Sequence, residues 1–317
     1  MTAVNCYVRF AVQAMAACGV LMTAACGPSA SSPTANSTGT PGASTPSASA
    51  TPLATPTPAK ALYTAASTPT GGGVIPGGQW IAVSGSNGSV MLAQVFTPPG
   101  AGPFPAVLVL HGTEGFAQHH TQLAQYLSQH GYVGVAACWF AGNFNGAVRP
   151  PNPPQTPPAE NSPVGVNCPQ APPLVALPGA ATWPEAVTTI NGLIAAIRTL
   201  PSVKSNEIGL VGHSRGAIAA LTVAAQGASV QAIVAADGTP ANGLAPQEVG
   251  SILLIEGLAD HTMHPQTVMS FEAALKAAGK SVQDDYVARA PHPLIWNPPW
   301  QAPAQARMLA FFQQVLP

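Results

Sequence analysis

The sequence predicts an α/β protein built on a mostly parallel, doubly covered sheet of about eight strands. Three observations predict it. Residues 208–219 (IGLVGHSRGAIA) read as a buried strand, a Gly-x-Ser-x-Gly turn and a small-residue helix in direct succession. Residues 106–110 (AVLVL) are wholly apolar, as a strand covered on both faces must be. Beyond the turn, strand-length runs at 230–235, 251–256 and 282–288 alternate with helical stretches at 266–278 and 302–315.

Composition bounds the function classes. Only 7% of the 317 residues are charged and the net charge is −1, which gives no basic surface for nucleic acid and no acidic one for a cationic partner. Low charge with 47% hydrophobic residues points to an extracytoplasmic protein with a substantial core. The 35 prolines and 31 glycines cluster, which marks linkers and loops.

Residues 1–26 read as an export signal: Arg9 supplies a thin positive region, residues 10–22 a short apolar run, and Thr23-Ala24-Ala25 small residues before Cys26. The apolar run is too short to span a membrane convincingly. The segment resembles a bacterial lipoprotein signal, which implies a lipid on Cys26 and membrane attachment through it, although Thr23 stands where such signals usually carry Leu. Plain secretion is the alternative. Residues 27–72 are Ser, Thr, Pro, Ala and Gly with no aromatic residue before Tyr63. They cannot bury enough apolar area to offset ordering entropy and are expected to form a disordered tether, open to glycosylation.

The folded domain is expected over 73–317. Residues 79–83 and 90–97 predict two strands joined through an Asn87-Gly88 turn. The strand 106–110 runs into His111-Gly112-Thr113-Glu114-Gly115. Residues 118–129 have Leu123, Tyr126 and Leu127 at helical spacing, with Gly131 as the stop, and 132–137 form the next buried strand. His119 and His120 are expected at a solvated helix start. From about 140 to 180 the pattern dissolves into Pro, Asn and Gly, too long for an ordinary connection. A lid or pocket wall and a plain disordered insertion are both open readings. Thr182-Trp183-Pro184-Glu185 then reads as a capping box opening a helix that runs to Leu200.

At the turn, Gly212 and Gly216 flank Ser214 where a side chain would strike the neighbouring strand or helix. Ser214 is thereby expected in a strained nucleophile elbow, its hydroxyl above the sheet. A serine hydroxyl is a poor nucleophile near neutral pH and needs a histidine base, itself held by a carboxylate. Asp260 follows the strand 251–256 and His292 the last strand, so both belong to the edge where Ser214 emerges. Asp237, after the preceding strand, is the alternative acid. His261 and His264 are expected to line the pocket or face solvent, and His213 to pack. No metal or cofactor is implied, since Asp260, His261 and His264 lack a convincing ligand pattern. Phe116, Trp139, Phe140 and Trp296, with Glu114, are the candidate substrate-binding residues. Cys138 and Cys168 are left as a pair in an oxidising compartment. A disulfide between them would close the proline-rich insertion and contribute about 3 kcal/mol.

Taken together, residues from about 75 to 317 resemble the dienelactone-hydrolase-like branch of the α/β-hydrolases. The resemblance rests on residues 108–115, on Leu123-Ala124 to Gly131-Tyr132, on Gly212-His213-Ser214-Arg215-Gly216, and on Asp260 and His292. It implies Ser214, Asp260 and His292 as a catalytic triad acting on a small-molecule ester, with the Thr113 and Arg215 N–H groups as the oxyanion hole. Ser214 stands where dienelactone hydrolases proper have cysteine, so that particular substrate does not carry over. Residues 200–204 and 292–300 also look like acyl-CoA thioesterase and acyltransferase relatives. Thioester cleavage, acyl transfer and a non-catalytic envelope-binding role are the alternatives.

Overall fold

The computed structural model describes residues 60–69, 74–85, 90–142 and 184–317. These belong to one compact unit, Thr57–Pro317. Nine strands form a single sheet: β1 (Thr64–Ala65), β2 (Gln79–Ser84), β3 (Val90–Phe96), β4 (Phe104–Leu110), β5 (Val133–Ala137), β6 (Val203–His213), β7 (Ala232–Ala236), β8 (Ser251–Gly257) and β9 (Val282–Val287). Their spatial order is β1-β2-β3-β5-β4-β6-β7-β8-β9. The first three run antiparallel to their neighbours, and every pair from β5 through β4 to β9 is parallel.

The sheet of nine strands agrees with the expected mostly parallel sheet of about eight, and β1 is the strand with no sequence signal. β1 lies within the stretch read as tether, pairs Thr64 with Ala82 and Ala65 with Ile81, and brings Tyr63 against the core. Two residues carry no periodicity, so only the edge of β2 could have revealed them.

Five helices cover the sheet: α1 (Gln118–Ser128), α2 (Pro184–Ile197), α3 (Arg215–Ala225), α4 (Pro265–Ala277) and α5 (Gln301–Val315). The sheet separates two apolar clusters. One holds Leu108, Leu110, Ile190, Ile194 and Leu221; the other holds Val107, Val109, Leu123, Phe311 and Phe312. Alternate residues of β4 thus serve opposite cores, which is why residues 106–110 are apolar throughout. Each buried Leu or Ile contributes roughly 1.5–3 kcal/mol, so the central strands are the firmest part of the molecule. Leu110 pairs with Gly212, and Ala236 with both His213 and Ile255. The carboxyl ends of β4, β6, β7 and β8 therefore share one edge. Among the described residues no helix is long and apolar enough to cross a membrane. The export signal with Cys26, most of the tether, Cys168 and the body of the 140–180 insertion lie outside the described residues.

Candidate active site

The turn after β6 has the geometry its glycines imply. Ser214 sits at φ 53° and ψ −115°, a conformation that costs a non-glycine residue on the order of 1–3 kcal/mol. Packing sustains it. A Cβ on Gly212 would lie 2.2 Å from the Gly216 carbonyl oxygen, and one on Gly216 would lie 2.2 Å from that of Leu110. The Ser214 N–H donates to Ala236 O at 2.8 Å, fixing the turn to β7. α3 starts at Arg215, so the positive end of its dipole lies at the serine.

Asp260 and His292 meet as the chain order predicts. The His292 Nδ1 lies 2.7 Å from Asp260 Oδ2, while Asp260 Oδ1 accepts the N–H groups of Thr262 (2.6 Å) and Met263 (2.9 Å). Both carboxylate oxygens are therefore engaged, and the imidazole is held with Nδ1 inward and Nε2 left to face the site. The loops that carry the two residues run together: Ala259 N–H donates to Ala290 O, and a Cβ on Gly257 would strike that same oxygen at 2.4 Å. Burial and the charge of His213 lower the His292 pKa, and the Asp260 hydrogen bond opposes them. Among the described residues the side-chain hydrogen bond of His292 runs to Asp260.

Asp237, the alternative acid, does something else. It is fully buried at φ 54°, and its Oδ2 accepts the Leu294 N–H at 3.0 Å, tying down the loop that carries His292. Burial raises Asp237 to about 7 despite the opposing charge of His213. Glu256, at the end of β8, is also fully buried, and burial with the neighbouring Asp237 and Asp260 raises it to about 9. A neutral carboxyl therefore stands behind the acid of the pair.

The sequence reading needs most correction on the other side of Ser214. The Glu114 carboxylate lies 3.4 Å from His213 Nδ1, 3.2 Å from His120 Nε2 and 3.8 Å from His119 Nε2, and its Oε1 accepts the Gly112 N–H at 3.2 Å. Desolvation alone would raise Glu114, but the His213 charge and hydrogen bonding from the three imidazoles hold it well below the usual carboxylate range. His120 is fully buried, not solvated; burial and the His119 charge lower it to about 3. His213 is more than a packing residue. Desolvation would lower it, yet Glu114, Asp237 and Asp260 together raise it, and its Nε2 lies 3.9 Å from Asp237. Its ring is centred 5.2 Å from that of His292. Pairing of Leu110 with Gly212 was the signal for this cluster, since it sets residues 111–114 beside His213.

The aromatic candidates divide. Phe116, Trp139 and Phe140 are 3%, 0% and 2% exposed and belong to the core, not to a pocket wall. Trp139 Nε1 donates to His111 O at 3.0 Å, and Phe140 packs edge-on against the His111 ring, so the three brace the loop after β4 from behind. Trp296 stays at the site, with His119, His120 and His213 within 4.5–5.8 Å of its ring. Glu114 turns from substrate contact to internal ion pairing. His261 and His264 are exposed.

Among the described residues three groups have metal-like spacing: Glu114 with His119 and His120, His213 with Asp237 and His292, and Asp237 with Glu256 and Asp260. In the first, the Ala117 N–H donates to His120 Nδ1, which leaves the ring proton of the neutral form on the Nε2 that would have to ligate. The second contains His213, which the neighbouring carboxylates raise, and the third contains Asp237 and Glu256, raised chiefly by burial to about 7 and about 9.

No functionally curated protein matches the chain in sequence. Solved structures do match in fold. A dienelactone-hydrolase-like promiscuous phosphotriesterase from metagenomic libraries is 17% identical with a TM-score of 0.58, covering 76% of this chain and 98% of its own. A dienelactone-hydrolase-type protein from Klebsiella pneumoniae subsp. pneumoniae is 21% identical with a TM-score of 0.55 over 74% and 99%. Acetyl xylan esterase 1 from Thermoanaerobacterium sp. is 14% identical with a TM-score of 0.52 over 79% and 87%. At these identities the likeness is one of fold, an α/β-hydrolase. The sequence model of the dienelactone hydrolase family matches residues 91–315, from β3 to the end of α5. The chain therefore belongs to the dienelactone hydrolase family.

Proposed function

We propose that the protein is a serine hydrolase of carboxylic esters working through an acyl-enzyme on Ser214. The observation that carries this reading is the Asp260–His292 pair, 2.7 Å apart on the edge where the strained Ser214 turn emerges. His292 takes the Ser214 proton as the hydroxyl attacks the ester carbonyl, and Asp260 stabilises the imidazolium that forms. The N–H groups of Thr113 and Arg215 receive the developing oxyanion, each worth roughly 3 kcal/mol. His292 then protonates the departing alcohol, and water, activated by the same base, releases the acid.

The protein acts outside the cytoplasm, exported by residues 1–26 and held at the envelope by a lipid on Cys26. A Cys138–Cys168 disulfide shapes the insertion next to the site. Cys138 supports this by its place at the end of β5, fully buried beside Trp139.

Hydrolysis of short and medium p-nitrophenyl esters, with a matched thioester, by the full chain and by Ser214→Ala tests the reading. The expected result is ester turnover that falls by at least about 1000-fold in the variant. Full activity in Ser214→Ala would remove the serine from the mechanism, and a preference for the thioester would move the substrate class.

A further inference from the structure

Ser214 has a second imidazole–carboxylate pair on its other side. Gly112 shows that this pair is built in: a Cβ there would lie 2.4 Å from Glu114 Oε2 and 3.0 Å from His213 Nδ1. The loop after β4 therefore passes close beneath both groups. The Glu114 carboxylate curls back over its own loop to accept the Gly112 N–H, and Gly115 N–H closes the turn onto Gly112 O at 3.2 Å. Thr113 lies inside this turn, and His213 directly precedes Ser214 and Arg215. The contact thus bridges the two segments assigned to the oxyanion hole.

We propose that the part-exposed Glu114 and the buried His213 form an ion pair that ties the loop after β4 to the nucleophile turn, making Glu114 a positioning residue for the oxyanion donors. This rests on the serine-hydrolase reading. Oxyanion stabilisation depends on N–H groups fixed in advance, because donors that must reorganise during reaction lose most of their worth. A misplacement of about 1 Å costs on the order of 100-fold in rate. Trp139 and Phe140 hold the His111 end of this loop from behind, and the Glu114–His213 contact adds a link from its far end to the elbow.

The groups facing the pair are His119 and His120 from α1, His111 on the same loop, Asp237 after β7, and Asp260 and His292 beyond it. Three carboxylates raise the His213 pKa against desolvation, so the ring holds its charge more firmly than an isolated buried histidine. That charge also depresses the His292 pKa.

The test uses the full chain with Glu114→Gln, His213→Gln and the double variant. Readouts are kcat, KM, Ki for a boronic acid that forms a tetrahedral adduct on the serine, and the pH profile of kcat/KM. Each single variant is expected to lose about 10- to 100-fold in kcat with KM within about 3-fold, and to weaken the boronate in parallel. The double variant should be no worse than the poorer single. His213→Gln should also move the acid limb of the profile to higher pH, as His292 loses a cationic neighbour. If Glu114→Gln fails to fold, His213→Gln alone decides by the same kcat and boronate readouts. Unchanged kcat and Ki in a folded variant, or losses that multiply in the double, would overturn the inference. Ser214→Ala keeps the two claims apart: inactive Ser214→Ala with fully active Glu114→Gln sinks only the brace, and active Ser214→Ala sinks the underlying reading.

Discussion

Ser214 stands between two imidazole–carboxylate pairs that differ in kind. Asp260–His292 is a hydrogen bond of 2.7 Å at Nδ1, with the acid's other oxygen held by two backbone N–H groups. Glu114–His213 is a charge contact of 3.4 Å in which one carboxylate serves three imidazoles and a backbone N–H. The first fixes a tautomer and leaves Nε2 for proton transfer. In the second, Glu114 foremost, with Asp237 and Asp260, raises the His213 imidazole against the desolvation that would lower it. The surroundings thus shift the two histidines in opposite directions, His213 up and His292 down.

The largest effect that separates the two sides is expected at Asp260. Asp260→Asn presents the wrong partner to His292 Nδ1, and kcat should fall by about 10⁴-fold. Asp237→Asn keeps an acceptor for the Leu294 N–H, and its kcat should stay within about 3-fold of the parent. Steady-state kinetics on both variants would reverse the assignment of the acid if the larger loss fell on Asp237.

The smallest effect concerns two buried acids, Glu256 beside Asp260 and Glu248 near Lys280. Glu256 is raised to about 9 from its ordinary 4.5, and Glu248 to about 9 as well, both chiefly by burial. An acid protonated in the fold and ionised in the unfolded chain binds more protons when folded. Its contribution is complete below the unfolded pKa and is lost as pH rises through the folded one. Urea-derived stability should therefore decline from about pH 5 to about pH 9, by up to about 1.4 kcal/mol per pH unit for each group. Glu256→Gln, which cannot ionise, should show a shallower decline; an unchanged slope would mean that Glu256 is ionised in the fold.

The same division explains what could be read in the sequence. Ser214, Asp260 and His292 stand after strand-length apolar runs, so the sequence could set all three on one sheet edge, and the Asp260–His292 contact follows from that placement. The glycines flanking Ser214 announced a close approach, and backbone oxygens do lie where their Cβ atoms would be. Glu114 was seen but given to substrate, because a polar residue near a strand end looks the same whether it faces a ligand or an imidazole. His120 was placed in solvent because two adjacent histidines at a helix start resemble a polar cap; only the fold of the 111–116 loop buries one of them. The aromatic residues at 116, 139 and 140 carried no directional signal, and packing against His111 drew them inward. β1 was too short for any pattern.

Rapid-quench intact mass of the full chain mixed with a p-nitrophenyl ester, followed by peptide mapping, tests the proposed chemistry most directly. The expected result is a transient acyl adduct on the peptide carrying Ser214, absent in Ser214→Ala and longer-lived in His292→Ala if formed there at all. Ester turnover without an adduct on Ser214, or an adduct on another residue, would contradict it.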